Sequence, residues 1–234
     1  MKTNLDHNPL APSNAAPADF RAAFRSRPAW IAPRQPPPPP QVTAFRLQFD
    51  LPQARAWARE PLDERIHKRA WAASGHCSSF RGGAPEDHVR AIVIHATAGS
   101  TSDGAASVME AGRASFHWIV PGKDEDAHGV HVWATCPERL AAWHVRRSCS
   151  HPHVCNGANN INRRSLGVEI VNRQNGEDPF SRWQVEAAAR IVRYAAGKYP
   201  NLVHVVSHAR LDPHRRTDPG ANFPWAEFKE LVLD

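Results

Sequence analysis

The stretch Val89-Arg90-Ala91-Ile92-Val93-Ile94-His95 is apolar at every position but Arg90 until it ends on an imidazole. A short apolar run of this kind reads as a strand covered on both faces, the habit of sheets with helices packed on either side. Four more segments carry strand signals: 115–120, 129–135, 166–171 and 202–206. In 129–135, His131 and Trp133 alternate with Val130 and Val132. Helix signals fall between them. Residues 103–110 predict a short helix with Gly112 placed to end it. Ser181 and Gln184 have capping-box spacing, Trp183, Ala187, Ile191 and Ala195 recur every fourth residue, and Gly197 is placed as a terminator. A last helix is expected over 225–232, behind Pro224. Strands interleaved with helices predict an α/β fold, a single domain with a central mixed β-sheet flanked by helices.

Upstream of this core, residues 1–41 are rich in Pro and Ala and end in Pro36 to Pro40. Such a run stiffens into polyproline II and adds nothing to a packed core, so it reads as a tail or linker, with a docking motif for an aromatic-lined groove as the alternative. Residues 42–74 turn amphipathic: Leu47, Phe49, Leu51, Trp57, Leu62, Ile66 and Trp71 stand among many charges, and 53–59 and 63–73 are candidate short helices. This part is either a small targeting subdomain or an extension lying on the main domain, which takes residues 75–234.

Of 234 residues, 41% are hydrophobic and 22% charged, which suits a globular protein with a sizeable core. The net charge of +6 favours a polyanionic partner, either nucleic acid or the bacterial envelope. Nucleic acid is not expected, because Cys-x-x-Cys pairs and a Lys/Arg-rich helix with interleaved aromatics are both missing. The first residues contain no apolar segment of the kind that begins a secretory signal, and no apolar run approaches the roughly 20 residues of a membrane span. The expectation is synthesis in the cytoplasm without a signal peptide, no transmembrane segment, and a monomer. Cys77, Cys136, Cys149 and Cys155 fit paired and reduced states equally well.

The chemistry gathers at two strand ends. His95 closes one apolar run and His208 follows another, and ligands of α/β sheets collect beyond the carboxyl ends of strands. After His208 a loop rich in turn formers returns to Asp218, which the following Pro219 biases to an extended conformation. Two imidazoles and a carboxylate suit one zinc ion, and three protein ligands leave a position open for water. The segment Cys149-Ser150-His151-Pro152-His153-Val154-Cys155 invites a second metal, but converging four alternating ligands needs a sharp fold. A disulfide or a polar loop is the preferred reading there.

Five motifs occur in order: Ile94-His95-Ala96-Thr97-Ala98-Gly99, Ser115-Phe116-His117-Trp118-Ile119-Val120, Ala142-Trp143-His144, Ser165-Leu166-Gly167-Val168-Glu169-Ile170, and His208 through Thr217-Asp218-Pro219-Gly220 with Phe223-Pro224-Trp225. Together they resemble the type-2 N-acetylmuramoyl-L-alanine amidases, the family shared with peptidoglycan recognition proteins and some phage lysozymes. The resemblance runs from about Gly75 to the C-terminus. It implies zinc-dependent hydrolysis of the amide between N-acetylmuramic acid and L-alanine of peptidoglycan, with peptidoglycan or muropeptides as substrate. The alternative is a peptidoglycan-binding or sensing module without turnover. His95, His208 and Asp218 match the metal ligands, Glu169 a catalytic acid, and Arg216 a position where Lys is usual. His144, with Trp143 and His117, falls beside the substrate groove, His117 as a supporting residue rather than a fourth ligand. Where some members carry Tyr, this chain has Phe116, and Arg does not replace Lys conservatively. The implied place of action is the cytoplasm, for a recycling enzyme, or the cell wall after non-classical release, for a phage lysin or an injected effector.

Overall fold

The computed structural model describes residues 48–69 and 75–234. The expectations for residues 1–41 lie outside them. In chain order the elements are β1 (Gln48–Asp50), β2 (Glu64–Ile66), β3 (Ser78–Phe80), α1 (Pro85–His88), β4 (Ala91–Ala96), α2 (Ser102–Glu110), β5 (Trp118–Val120), β6 (Val132–Ala134), β7 (Leu140–Ala142), β8 (Ser165–Ile170), α3 (Arg182–Lys198), β9 (His204–Ser207), α4 (His208–Leu211) and α5 (Trp225–Leu233). Seven strands form one sheet in the order β1-β9-β4-β8-β5-β6-β2. The inner pairs β9-β4, β4-β8 and β8-β5 are parallel, whereas β1-β9 and β5-β6 are antiparallel, so the sheet is mixed as expected. A separate antiparallel pair joins β3 to β7.

Alternation along the central strands assigns the two faces. Ile92 and Ile94 of β4, with Leu166, Val168 and Ile170 of β8, pack on α3 and α5 in the main core. Ala91 and Val93 belong to a second cluster on the opposite face with Val145, Ile161 and Leu211. His95 shares the parity of Ala91 and Val93. Ser165, Gly167 and Glu169 share the matching parity of β8, and the parallel register sets His95 directly beside Glu169. One face of the sheet is therefore apolar filling, and the other carries the chemistry.

The helix α3 has its capping box: Ser181 Oγ accepts from Gln184 N, and the Gln184 side chain accepts from Ser181 N. A cap of this type contributes about 1 kcal/mol. Gly197 does not terminate this helix, which continues to Lys198 and stops at Tyr199, held extended before Pro200. The absence of a side chain at 197 serves a different purpose. A Cβ there would lie 2.4 Å from the carbonyl oxygen of Ala58.

That contact belongs to residues 48–69, and here the expected helices are corrected. Residues 53–63 contain turns and extended chain, and the described part of 63–73 contains strand β2. Pro52 and Pro61 interrupt helical hydrogen bonding, and the backbone finds partners elsewhere instead. Leu51 N donates to Val203 O, the Gln53 amide to Leu202 O, Val132 N to Asp63 O, and His67 N to Ala134 O. The segment supplies β1 at one edge of the sheet and β2 at the other, crossing α3 at Gly197 on the way. Trp57 and Leu62 pack on the core, and the Trp118 indole donates to Glu64 at 2.7 Å. Beyond β2 the chain ties to α2 through His67 with Asp103 (3.2 Å) and Arg69 with Glu110 (2.9 Å).

Candidate metal centre and its cleft

His95 is the fifth residue of β4. His208 opens α4, whose N-terminus is capped by Ser207 Oγ accepting from Arg210 N at 2.9 Å. The loop after α4 turns back through Arg215 N and Arg216 N donating to Asp212 O, and Ala209 N then donates to Asp218 O at 2.9 Å. That last bond brings the Asp218 carboxylate to the two imidazoles. His95 Nδ1 lies 3.0 Å from His208 Nδ1, and Asp218 Oδ2 lies 3.2 and 3.1 Å from these two atoms. All three residues are buried.

This triangle fits a cation. Ligand atoms about 2.0 Å from a tetrahedral centre stand roughly 3.3 Å apart, close to the edges observed. Two imidazole nitrogens and a carboxylate oxygen converging in a buried pocket form a donor set suited to a divalent transition metal. Among the described residues this is the one group of His, Cys, Asp and Glu side chains so arranged. Burial and the neighbouring His208 push the His95 pKa down to about 4, which keeps its ring neutral. Burial opposes ionisation of Asp218, but the two imidazoles outweigh it and hold the carboxyl below its ordinary range.

The triangle sits in a cleft of about 580 Å³. Glu169 lines it beside His95, buried, and burial followed by the charge of Asp218 raises its pKa well above the usual carboxylate range. Arg216 lines the cleft from the exposed loop. Phe116, packed edge-on to His95 with centroids 5.6 Å apart, brings a ring without a hydroxyl. His144 reaches the lining but is spent on internal contacts: its Nδ1 is 3.0 Å from His95 Nε2 and its Nε2 is 3.1 Å from Ser165 Oγ. Burial, then the charge of His95, sets its pKa well below the ordinary value.

Two expected groove residues do not line the cleft. His117 is buried, accepts from Gly167 N at Nδ1 (2.9 Å), and has Nε2 within 3.2 Å of Leu140 O and 2.9 Å of Arg81. Its place is behind the site, as part of the packing between β5, β7 and β8. Trp143 turns its indole to Ser79 Oγ at 2.6 Å. In their stead the cleft is walled by residues outside the predicted set, among them Thr97, Val108, Arg113, Gln174 and Arg215. Gln174 holds a left-handed φ of 53° and donates to Ala96 O at 2.7 Å. The only sequence signal for Arg113 was its place just ahead of the Ser115 motif.

The cysteine loop carries no second metal cluster among the described residues. All four cysteines are free and buried, and Cys149 donates from Sγ to Leu211 O at 3.0 Å, tying its loop to the end of α4.

Residues 85–221 match the family model described as N-acetylmuramoyl-L-alanine amidase. The chain is 28% identical over 151 residues to the N-acetylmuramoyl-L-alanine amidase AmiD of Escherichia coli, a match covering 61% of this chain and 52% of that protein. It is 29% identical over 94 residues to the 1,6-anhydro-N-acetylmuramyl-L-alanine amidase AmpD of Enterobacter cloacae, covering 39% of this chain and 46% of that one. The chain thus spans about half the length of these curated relatives. Its fold is shared with AmpDH3 of Pseudomonas aeruginosa, solved in complex with anhydromuramic pentapeptide, at a TM-score of 0.53 and 23% identity over 72% of this chain and 66% of that one.

Proposed function

The chain belongs to the N-acetylmuramoyl-L-alanine amidase family, and from that membership we propose that it hydrolyses the amide bond between N-acetylmuramic acid and the L-alanine of the stem peptide. The observation that carries the reading is the buried triangle of His95, His208 and Asp218, with edges of 3.0 to 3.2 Å, opening on a cleft that also holds Glu169. These three side chains would hold one zinc ion. When bound, the metal supplies Lewis acidity, bringing the pKa of a water toward about 7 and polarising the amide carbonyl.

The chain's own residues supply the proton transfers. Glu169 takes a proton from the attacking water and returns it to the leaving nitrogen, so that a C–O bond forms as the C–N bond breaks and the product is a free amine. Its burial, followed by the charge of Asp218, raises its pKa well above the usual carboxylate range, which strengthens it as a proton acceptor. Arg216, exposed at the cleft mouth, pairs with the oxyanion that develops on the carbonyl oxygen. With Phe116 where a hydroxyl would otherwise stand, Glu169 is the acid–base group of the centre. Arg113, Arg215 and Arg216 give the cleft a cationic rim suited to carboxylates of a stem peptide.

The substrate class proposed is peptidoglycan or its muropeptide fragments. No helix among the described residues is long and apolar enough to cross a membrane. Incubation with purified sacculi, and separately with soluble anhydro-muropeptides, is expected to release free stem peptides. Chelation or His208→Ala is expected to stop that release while leaving sacculus binding in place. Binding without release by the zinc-loaded protein would instead establish a non-catalytic module. The ratio of the two substrate rates distinguishes a recycling role from a wall-degrading one.

A further inference from the structure

We propose that His144, Ser165 and Gly167 form a clamp that fixes the proton of His95 on Nε2, so that Nδ1 presents its lone pair to the metal position. The inference deepens the reading of the centre as a zinc site and rests on it. It begins at the far end of a chain of hydrogen bonds. Ser165 Oγ has one proton and donates it to Ile161 O at 2.8 Å. Toward His144 Nε2, 3.1 Å away, that oxygen can only accept, so Nε2 carries the proton of His144. A neutral imidazole has one N–H, which leaves His144 Nδ1 as an acceptor facing His95 Nε2 at 3.0 Å. His95 therefore donates from Nε2, and its Nδ1 is bare where it meets His208 and Asp218. The ring centroids of His95 and His144 are 5.1 Å apart with the two nitrogens 3.0 Å apart, so the nitrogens lie close to the line between the rings, as an in-plane hydrogen bond requires.

The clamp has a built seat. A Cβ at Gly167 would lie 2.7, 3.0 and 3.1 Å from Cγ, Cδ2 and Cβ of His144. The imidazole thus lies against bare backbone in a space that any other residue would fill. Gly167 is not among the positions with positive φ, so backbone conformation gives no separate reason for a glycine. On one face of β8, Ser165 orients the ring, Gly167 admits it, and Glu169 faces the cleft beside His95. Asn162 holds the next residue from both sides, its amide donating to Val145 O at 2.7 Å and accepting from Val145 N at 2.9 Å. His144 is accordingly a positioning residue acting through His95.

Two measurements made without substrate test this, so they stand apart from whether the protein is a hydrolase. In the metal-free wild type, long-range proton–nitrogen NMR is expected to show His95 Nε2 protonated and Nδ1 pyridine-like. The opposite assignment overturns the proposal, and this result depends on no variant. Zinc affinity is then measured by competition with a chromophoric chelator. His144→Leu and Gly167→Ala are expected to weaken it by about 10- to 100-fold, the usual cost of losing a partner that orients a ligand. His144→Asn keeps an acceptor oxygen in the Nδ1 position and is expected to recover most of the loss. If folded His144→Leu binds zinc within about threefold of wild type, the clamp is overturned. If wild type binds no zinc, the zinc reading fails, and the NMR assignment still decides which tautomer the clamp imposes.

Discussion

The candidate metal centre is assembled from two regions of opposite construction. His95 stands in the middle of a seven-stranded sheet, between β8 and β9, with its second nitrogen engaged by a buried histidine that is itself engaged by a serine. His208 and Asp218 come from a single helical turn and the loop behind it, where 213–217 are all exposed. His208 Nε2 is buried and has no hydrogen-bond partner among the described residues, and one backbone bond, Ala209 N to Asp218 O, ties the loop down. One side chain of the triangle is held by architecture. The other two are held by local turns, by each other, and through Leu211 at the end of α4, which packs in the second cluster and accepts from Cys149 Sγ. A site built this way has a fixed wall and an adjustable one, and the adjustable wall also carries Arg215 and Arg216 to the cleft.

The contrast can be attacked in order of expected effect. Asp218→Ala removes a proposed ligand from the loop side and is expected to lower the proposed zinc retention and stem-peptide release by more than about 100-fold, beyond what changes behind the ligands produce. Metal content after dialysis and product chromatography report both. On the strand side, Asn162→Ala strands the buried N–H and C=O of Val145, and at about 1–3 kcal/mol for each unpaired group the expected loss is about 2–6 kcal/mol in urea denaturation. Ser207→Ala deletes the cap of the turn that carries His208, with an expected cost of about 1 kcal/mol. Should that change cost as much as Asn162→Ala, the loop side is as firmly fixed as the strand side and the contrast fails. Hydrogen exchange tests it without mutation: amides of 92–95 and 166–169 are expected to open only with global unfolding, and those of 213–217 far sooner.

What the sequence disclosed follows the same division. The apolar run of β4 and the mostly apolar β8 announce buried central strands, and the histidine near the end of one and the acid in the other fall side by side because parallel pairing puts them in register. The long helix with its Ser181 box was legible because its signals are local. The three-residue strands β1, β2, β3 and β7 were not. Each owes its form to a partner distant in sequence. Gly197 misled for the same reason: a glycine near a helix end reads as a terminator, and the carbonyl it makes room for lies in Ala58. In the cleft, the five motifs marked the three side chains that converge in the triangle, but His117 and Trp143 differ from His144 in which way the backbone aims them. Gln174 enters through a left-handed residue that leaves no mark in composition.

The crossing of residues 48–69 over α3 has a consequence for how the molecule comes into being. Asp50 pairs with His204, 154 residues away along the chain, so the outer strand that is synthesised first finds its neighbour only when β9 is complete. Until then its backbone groups stay unpaired, and β9 in turn remains an open template. The last closure is a non-local one, which makes it slow and sets the interval in which the nascent chain is open to mispairing. The match at 85–221 omits this segment and α5 alike, so a fragment cut to those limits would expose sheet edge and core face together. The sheet and core it belongs to are wider than the family signature.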